Sequence, residues 1–265
     1  MERIKVSVIM GVYNTQDANI LCKAIDSILN QTLKEFEFII CNDGSLDNTI
    51  DLLRSFEKKD SRIILIDNEE NKGLAYSLNR CIEMSKGKYI ARMDADDISL
   101  ENRLEQQYKF LENNSDYVLV GCCSKILRNN NSNLVRKVKK SPTVEDFLWG
   151  SPFMHPTIMV RSEVYKNLNG YRTIKQTRRA EDLDFFMRLY QMGYRGYNIQ
   201  EPYFIYREEK DDWKKRKFRY RIDEFQLRLT NYRKMNLMPR GYIYAVKPLI
   251  VGLIPGWIIR LLRRN

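Results

Sequence analysis

Residues Phe36 to Phe56 read F-E-F-I-I-C-N-D-G-S-L-D-N-T-I-D-L-L-R-S-F, and the order of patterns in that stretch decides the fold. F-E-F-I-I-C is almost continuously apolar and rich in residues that favour strands, as expected of a strand buried on both faces. N-D-G-S is small and polar. A helical pattern begins near Asp47, with Ile50, Leu53 and Phe56 spaced by three. Strand, polar turn and helix make one half of a parallel crossover, and the unit recurs on either side. I-K-V-S-V-I-M leads to a helix near Ala18, R-I-I-L-I-D to one near Gly73, and K-Y-I-A-R-M forms a fourth strand. Strands alternating with helices predict an α/β fold, with a mostly parallel central sheet flanked by helices and a Rossmann-like nucleotide-binding half.

In such a sheet ligands bind beyond the carboxyl ends of the strands. Those ends read G-V-Y-N after the first strand, N-D-G-S after the second and D-A-D-D after the fourth, while N-K-G follows the third. Small, polar and acidic residues therefore collect along one edge. Asp94, Asp96 and Asp97 crowd three carboxylates into four residues, which repel one another unless something positive lies close. A metal ion would serve; so would the N-terminus of a helix starting at Ser99 in S-L-E-N-R-L. Both readings stand at this point.

The chain has 265 residues, of which 43% are hydrophobic, enough for a substantial core. Its five cysteines form no C-x-x-C pair and mostly sit in apolar runs, so reduced thiols in the cytoplasm are expected. One histidine and unpaired cysteines argue against a structural zinc site. M-E-R-I-K-V-S-V-I-M is too short and interrupted for a signal peptide.

The net charge of +11 is unevenly spread: Lys214, Lys215, Arg216, Lys217, Arg219 and Arg221 crowd one segment, and Arg260, Arg263 and Arg264 close the chain. Such segments attract polyanions, either nucleic acid or an anionic membrane surface. The apolar stretch from Pro248 to Ile259 is well short of the ~20 residues that span a bilayer, and prolines interrupt it. It reads as a tail lying on the membrane, with Trp257, Tyr242 and Tyr244 at headgroup level and arginines at lipid phosphate. A terminal helix packed on the core is the alternative. No nucleic acid is expected as a partner.

The second half is less regular. Y-V-L-V-G-C-C-S-K-I-L and T-I-M-V-R read as strands, R-N-N-N-S-N as a turn, and A-E-D-L-D-F-F-M-R-L-Y-Q-M as an amphipathic helix ending at Gly193. A charged helical pattern follows from about Glu208 to Met235. The expected organisation is a catalytic-type domain over residues 1–207 and a basic helical extension, with its interfacial tail, over 208–265.

Six motifs in order, S-V-I-M-G-V-Y-N, C-N-D-G-S, N-K-G-L-A-Y-S-L-N, R-M-D-A-D-D, F-M-H-P-T and A-E-D, make residues 4 to 207 resemble family 2 of the inverting glycosyltransferases, whose fold is termed GT-A. The resemblance implies transfer of one sugar from a nucleotide-sugar donor to a hydroxyl of a lipid-linked or surface-polysaccharide acceptor, at the inner face of a bacterial cell membrane. It assigns Asp96 to a Mn²⁺ or Mg²⁺ ion and Asp94 to the ribose and sugar side, with Ala95 between them and Asp97 in support of either. Carboxylate oxygens suit such hard cations. Asp43 would accept a hydrogen bond from the base, which suits the N–H of uracil and hence a UDP-sugar, with Val12, Tyr13 and Asn14 as the other wall of the pocket. The same Asn42, Asp43 and Gly44 also read as a plain turn.

Lys72 and Gly73 would face the diphosphate, one as a point charge and the other by allowing close backbone approach. The A-E-D motif places a general base on Asp182, with Glu181 helping to position the acceptor; a helix start explains the same acids. His155 is carried over as a metal contact, beside its reading as a core histidine. Arg207 would meet the diphosphate or stay on the surface, and the loop Thr173 to Arg179 would close over the donor or remain passive. The absence of a Q-x-x-R-W pattern disfavours a processive synthase.

Two other classes compete. A nucleotidyltransferase would want a glycine-rich, basic phosphate loop after the first strand, and G-V-Y-N-T-Q-D supplies none. A non-enzymatic membrane or nucleic-acid binding module would leave Asp43, Asp94, Asp96 and Asp182 without a task.

Overall fold

The computed structural model describes residues 4–128, 131–208 and 217–254. The chain divides into two compact units. The first comprises Met1–Pro142, Pro152–Tyr171 and Tyr194–Glu208, and the second Thr143–Ser151, Arg172–Gly193 and Glu209–Asn265.

The first unit is built on the four expected strands. β1 (Val6–Val12), β2 (Phe36–Asn42), β3 (Ile63–Asp67) and β4 (Tyr89–Arg92) are parallel in the order β3-β2-β1-β4, with Val12 opposite Asn42 and Ile9 opposite Arg92. Helices α1 (Ala18–Leu29), α2 (Thr49–Lys59) and α3 (Leu74–Met84) make the crossovers. The packing follows from the sequence pattern. Val6, Val8 and Met10 on one face of β1 join Phe38 and Ile40 of β2 and the Leu21, Ala24, Ile25, Ile28 stripe of α1 in one core cluster, all buried. Each of the larger of these side chains contributes roughly 1.5–3 kcal/mol when fully buried. Cys41, Cys81, Cys122 and Cys123 are free and buried, and Cys22 is free and half-buried.

Beyond β4 the sheet turns mixed. β5 (Ile98–Ser99), α4 (Arg103–Asn113), β6 (Leu119–Arg128), β7 (Asn131–Arg136), β8 (Met159–Arg161), α5 (Ser162–Asn167) and β9 (Gly196–Arg207) follow in the chain. The sheet continues β4-β8-β6-β9-β5, with β7 on β6; β8 is antiparallel to β4 and β6, while β9 is parallel to β6.

Three local expectations are corrected. The stretch after Asp97 is not a helix start, because β5 pairs with β9 there and α4 begins only at Arg103. The asparagine-rich turn is shorter than expected, since β7 already begins at Asn131. The T-I-M-V-R strand shrinks to Met159–Arg161, because His155–Thr157 wind into a 3₁₀ turn started by Pro156.

The second unit holds the expected helix α6 (Glu181–Gln191), followed by α7 (Phe218–Lys234), α8 (Gly241–Ala245) and α9 (Lys247–Leu253). Asp184, fully buried, organises part of its interior. It accepts from Arg188 Nε at 2.7 Å and is held by Arg172 at 3.3 Å and by Asn231 Nδ2 of α7 at 3.4 Å.

Candidate functional site

Because β1, β2 and β4 run parallel side by side, the segments after them emerge at one edge of the sheet. The loops after β1 and β2 are tied to each other. Asn14, at a positive φ of 44°, accepts the Leu46 N–H at 2.8 Å on Oδ1 and donates its own N–H to Ser45 Oγ at 3.0 Å. The Val12 carbonyl accepts the Asp43 N–H at 2.8 Å. Tyr13 is left exposed beside them.

Asp43 does more than turn the chain. Its buried carboxylate accepts from Asn68 Nδ2 (2.8 Å), the Lys72 N–H (2.9 Å), the Gly73 N–H (2.8 Å) and Ser77 Oγ (2.9 Å), so one side chain anchors the whole entry to α3. Three of these bonds fall on Oδ1 and one on Oδ2, which leaves Oδ2 capacity for a further donor. Gly73 has a φ of +92°, a region glycine enters without strain, and nothing lies within 4 Å of where a Cβ would stand. Gly44 cannot be replaced for a second reason: a Cβ would lie 2.4 Å from the Glu70 backbone. The Lys72 ammonium pairs with the Glu70 carboxylate, so that cation reaches a diphosphate only by leaving its partner.

The D-A-D-D loop follows the buried end of β4. Carboxylate oxygens of Asp94, Asp96 and Asp97 all lie within 4.8 Å of one another, and this is the group of acidic, histidine or cysteine side chains among the described residues arranged to hold a metal ion. Asp96 is exposed, Asp94 and Ala95 are half-buried, and Asp97 is buried. Burial, reinforced by Asp94 and Asp96, pushes the Asp97 carboxyl well above the usual carboxylate range. Its Oδ1 accepts the Arg207 N–H at 2.8 Å, while the buried Oδ2 has no partner. An orphaned buried oxygen in a group of converging carboxylates fits a divalent cation with oxygen ligands.

The chain also supplies cations here, of which the sequence reading had offered only Arg207, as a diphosphate contact or a surface residue. Arg92, the last residue of β4, is buried and ion-paired to Asp94. Burial works against its charge, and the Asp94 carboxylate more than offsets this, holding the guanidinium above its ordinary value. Arg103 of α4 is fully buried and donates to the Arg92 carbonyl at 2.7 Å. With burial against it and Arg92 adding repulsion, its pKa falls to about 10. Arg207 at the end of β9 straps the loop through its N–H to Asp97 and through Nε to the Asp96 carbonyl at 3.0 Å. The signal in the sequence was the arginine two places before Asp94, inside an otherwise apolar strand.

His155 lies outside the aspartate group. It is buried, with Nε2 at 2.8 Å from the Tyr171 hydroxyl, and burial, with Arg92 adding repulsion, holds it well below its ordinary pKa. Unfolded, the imidazole titrates near pH 6.5. As pH falls below that value the unfolded state takes up a proton that the folded state refuses, so stability falls by up to ~1.4 kcal/mol per pH unit until the folded pKa is reached. Urea unfolding at pH 7.5 and pH 5 is therefore expected to show a larger loss for the wild type than for His155→Gln, by ~1 kcal/mol or more. Equal losses would place the proton elsewhere.

Glu181 and Asp182 belong to the second unit, at the first two positions of α6, and both are half-buried. Ala180 precedes them and has no side chain able to cap, while Arg179 takes a positive φ of 63° to turn the chain into the helix. Carboxylates suit this helix end whatever else they do.

Comparison with known proteins bears on the family and the fold. The sequence profile described as Glycosyl transferase family 2 matches residues 7–238. EpsE of Bacillus subtilis (strain 168) is 41% identical over 256 residues, covering 96% of this chain and 91% of that one. A shorter stretch of 107 residues, 40% of this chain and 41% of its relative, is 40% identical to WfaP of Escherichia coli, a UDP-Glc:alpha-D-GlcNAc-diphosphoundecaprenol beta-1,3-glucosyltransferase. Among solved structures, TarS 1-349 of S. aureus in complex with UDP-GlcNAc superimposes with a TM-score of 0.70 at 16% identity, covering 94% of this chain and 71% of that one. The mannosyltransferase PcManGT of Pyrobaculum calidifontis, in complex with GDP-Man and Mn²⁺, gives a TM-score of 0.64 at 20% identity, covering 99% and 80%. The likeness to both structures shows the GT-A type of α/β fold. The match of the family profile to most of the chain, with the likeness to EpsE, shows that this protein belongs to glycosyl transferase family 2 and is a glycosyltransferase.

Proposed function

We propose that the protein transfers one sugar, with inversion and with the help of Mn²⁺ or Mg²⁺, from a UDP-sugar to a hydroxyl of a lipid-linked or surface-polysaccharide acceptor at the inner face of the cell membrane. The observation that carries this reading is the group of three aspartates at the same sheet edge as the loop anchored by Asp43. UDP-GlcNAc and Mn²⁺ are bound by separate relatives of the same fold, and WfaP uses a diphosphoundecaprenol acceptor, which supports the donor, cofactor and acceptor classes.

Each residue then has a task. The uracil N–H meets the remaining capacity of Asp43 Oδ2, against Val12, Tyr13 and Asn14. The open space at Gly73 admits the diphosphate close to the backbone, and Lys72 exchanges Glu70 for phosphate oxygens. Asp94 orients the ribose and sugar, and Asp96 with Asp97 would hold the cation. When bound, the cation neutralises charge that builds on the departing diphosphate. Asp182 takes the proton of the acceptor hydroxyl as that oxygen bonds to the anomeric carbon and the bond to the nucleoside diphosphate breaks on the opposite face. Glu181 helps to place the acceptor.

The membrane part of the reading gains support from an unusual helix. Residues 241–253 run helically through α8, Val246 and α9. Small residues and a proline, Gly241, Ala245 and Pro248, are buried. The large apolar ones face out: Ile243 is 78% exposed, Ile250 56% and Leu253 73%, and with Val246 they keep the spacing of a single helix face. Exposed Trp149 packs edge-on against Tyr244 and has its carbonyl bound by Lys247 Nζ at 2.8 Å.

Trp, Tyr, Lys and outward aliphatic groups are the set that settles at a lipid interface. Residues 209–265 also hold fifteen lysines and arginines against five acids, nearly all of the net charge of +11. No helix of the described residues is long and apolar enough to cross a membrane. Lys214, Lys215, Arg216, Trp257, Ile258, Arg260, Arg263 and Arg264, assigned to membrane contact from the sequence, lie outside the described residues.

The reaction is tested by incubating the protein with a panel of sugar nucleotides, manganese and a polyprenyl-diphosphate sugar, and measuring nucleotide release. UDP should appear with one UDP-hexose, and release from none of the panel would contradict the reading. The membrane contact is tested separately. Ile243→Glu/Leu253→Glu is expected to weaken cosedimentation with anionic vesicles by about tenfold or more, since each buried aliphatic group is worth ~1.5–3 kcal/mol. Undiminished binding by the double variant would contradict it.

A further inference from the structure

We propose that Arg92 is a positioning residue that divides the work among the three aspartates: by pairing with Asp94 it reserves that carboxylate for the donor and leaves the divalent cation to Asp96 and Asp97. The inference rests on the reading that a nucleotide sugar and a cation meet at the D-A-D-D loop, and it adds a residue that the motif reading left without a role.

Three observations carry it. Arg92 is only 2% exposed, and its Nη2 pairs with Asp94 Oδ1. Its Nε and Nη1 are buried without a partner. Its backbone is clamped on both sides, the N–H by the Ile158 carbonyl at 3.0 Å and the carbonyl by Arg103 Nη2 at 2.7 Å. A guanidinium kept only to fill space would be a poor choice, since burying a charge and leaving two N–H groups unpaired are both unfavourable, and an aliphatic side chain would avoid both. What arginine supplies and an aliphatic side chain does not is a fixed positive charge on one chosen carboxylate. A carboxylate already engaged by a guanidinium is a weaker ligand for a second cation. The buried Oδ2 of Asp97 has no such engagement in this structure.

The proposal predicts effects of opposite sign for metal and donor, which loss of fold alone would not produce. Mn²⁺ binding to the donor-free protein is followed by the electron paramagnetic resonance of free Mn²⁺, beside the KM for the sugar nucleotide, for wild type, Arg92→Met, Arg92→Lys, Asp94→Asn and Asp96→Asn. Arg92→Met should bind Mn²⁺ more tightly, by at least about tenfold, because Asp94 is released to the cation, while KM for the donor rises by at least about tenfold. Arg92→Lys, which keeps the charge, should return Mn²⁺ affinity towards wild type.

Asp94→Asn should leave Mn²⁺ affinity within about twofold, whereas Asp96→Asn should lower it by at least about tenfold. Unchanged or weaker Mn²⁺ binding by a folded Arg92→Met overturns the proposal. So does a tenfold loss in Asp94→Asn, which decides the matter even if Arg92→Met fails to fold. Failure of the wild type to bind Mn²⁺ would instead overturn the metal reading itself, and this proposal with it.

Discussion

Asp96→Ala is expected to lower sugar transfer by at least ~10²-fold, the scale on which removal of one element of charge stabilisation acts at a transition state. The fold should survive, because Asp96 is exposed and its loop is held by other atoms. Those atoms are the Asp96 carbonyl under Arg207 Nε and the Asp97 carboxylate under the Arg207 N–H, and alanine keeps both contacts. A melting temperature within a few degrees of wild type should therefore accompany the loss of activity. Near-normal transfer by this variant would remove Asp96 from the chemistry.

Asp182→Asn keeps the shape of the side chain and removes its capacity to take a proton. Transfer should slow by at least ~10², the usual contribution of a general base, while affinity for the sugar nucleotide stays near that of wild type. The helix α6 should tolerate the change. Its cap at Ala180 uses no side chain, Glu181 and Asp184 still favour its N-terminus, and the buried contacts of the first turn belong to Leu183 and Asp184. Wild-type turnover would shift the base to another group, with Glu181 first in line.

The parallel half of the sheet was legible because β1, β2 and β4 are buried on both faces and so read as apolar runs, with polar turns marking each carboxyl end. β9 was harder. Gln200, Glu201 and Pro202 interrupt its apolar pattern, and its register against β6 shifts at Cys122 and Cys123, a bulge that no local pattern announces. β7 hid in a run of asparagines because hairpin pairing to β6 outweighs their weak strand preference.

At the site, the acidic loop and the glycine turns could be found from spacing. The fourfold anchoring of Asp43 could not, since its partners come from residues 68–77 of the next strand–helix unit. Two readings were open for the positive charge beside the three crowded carboxylates, a metal ion and a helix N-terminus. The helix N-terminus does not supply the positive charge, because α4 starts at Arg103, and Arg92 already supplies part of it from within the strand. Arg92 ion-pairs with only one of the three carboxylates, Asp94, which leaves room for a cation.

The central claim is that a divalent ion at Asp96 and Asp97 joins this protein to a nucleoside diphosphate. Calorimetric titration of UDP into the protein, with Mn²⁺ and again with excess chelator, addresses it most directly. Affinity should be at least about tenfold higher with Mn²⁺, and Asp96→Ala should abolish that difference without abolishing the residual binding through the Asp43 loop. Equal UDP affinity in Mn²⁺ and in chelator, or a metal effect that persists undiminished in Asp96→Ala, would contradict the account.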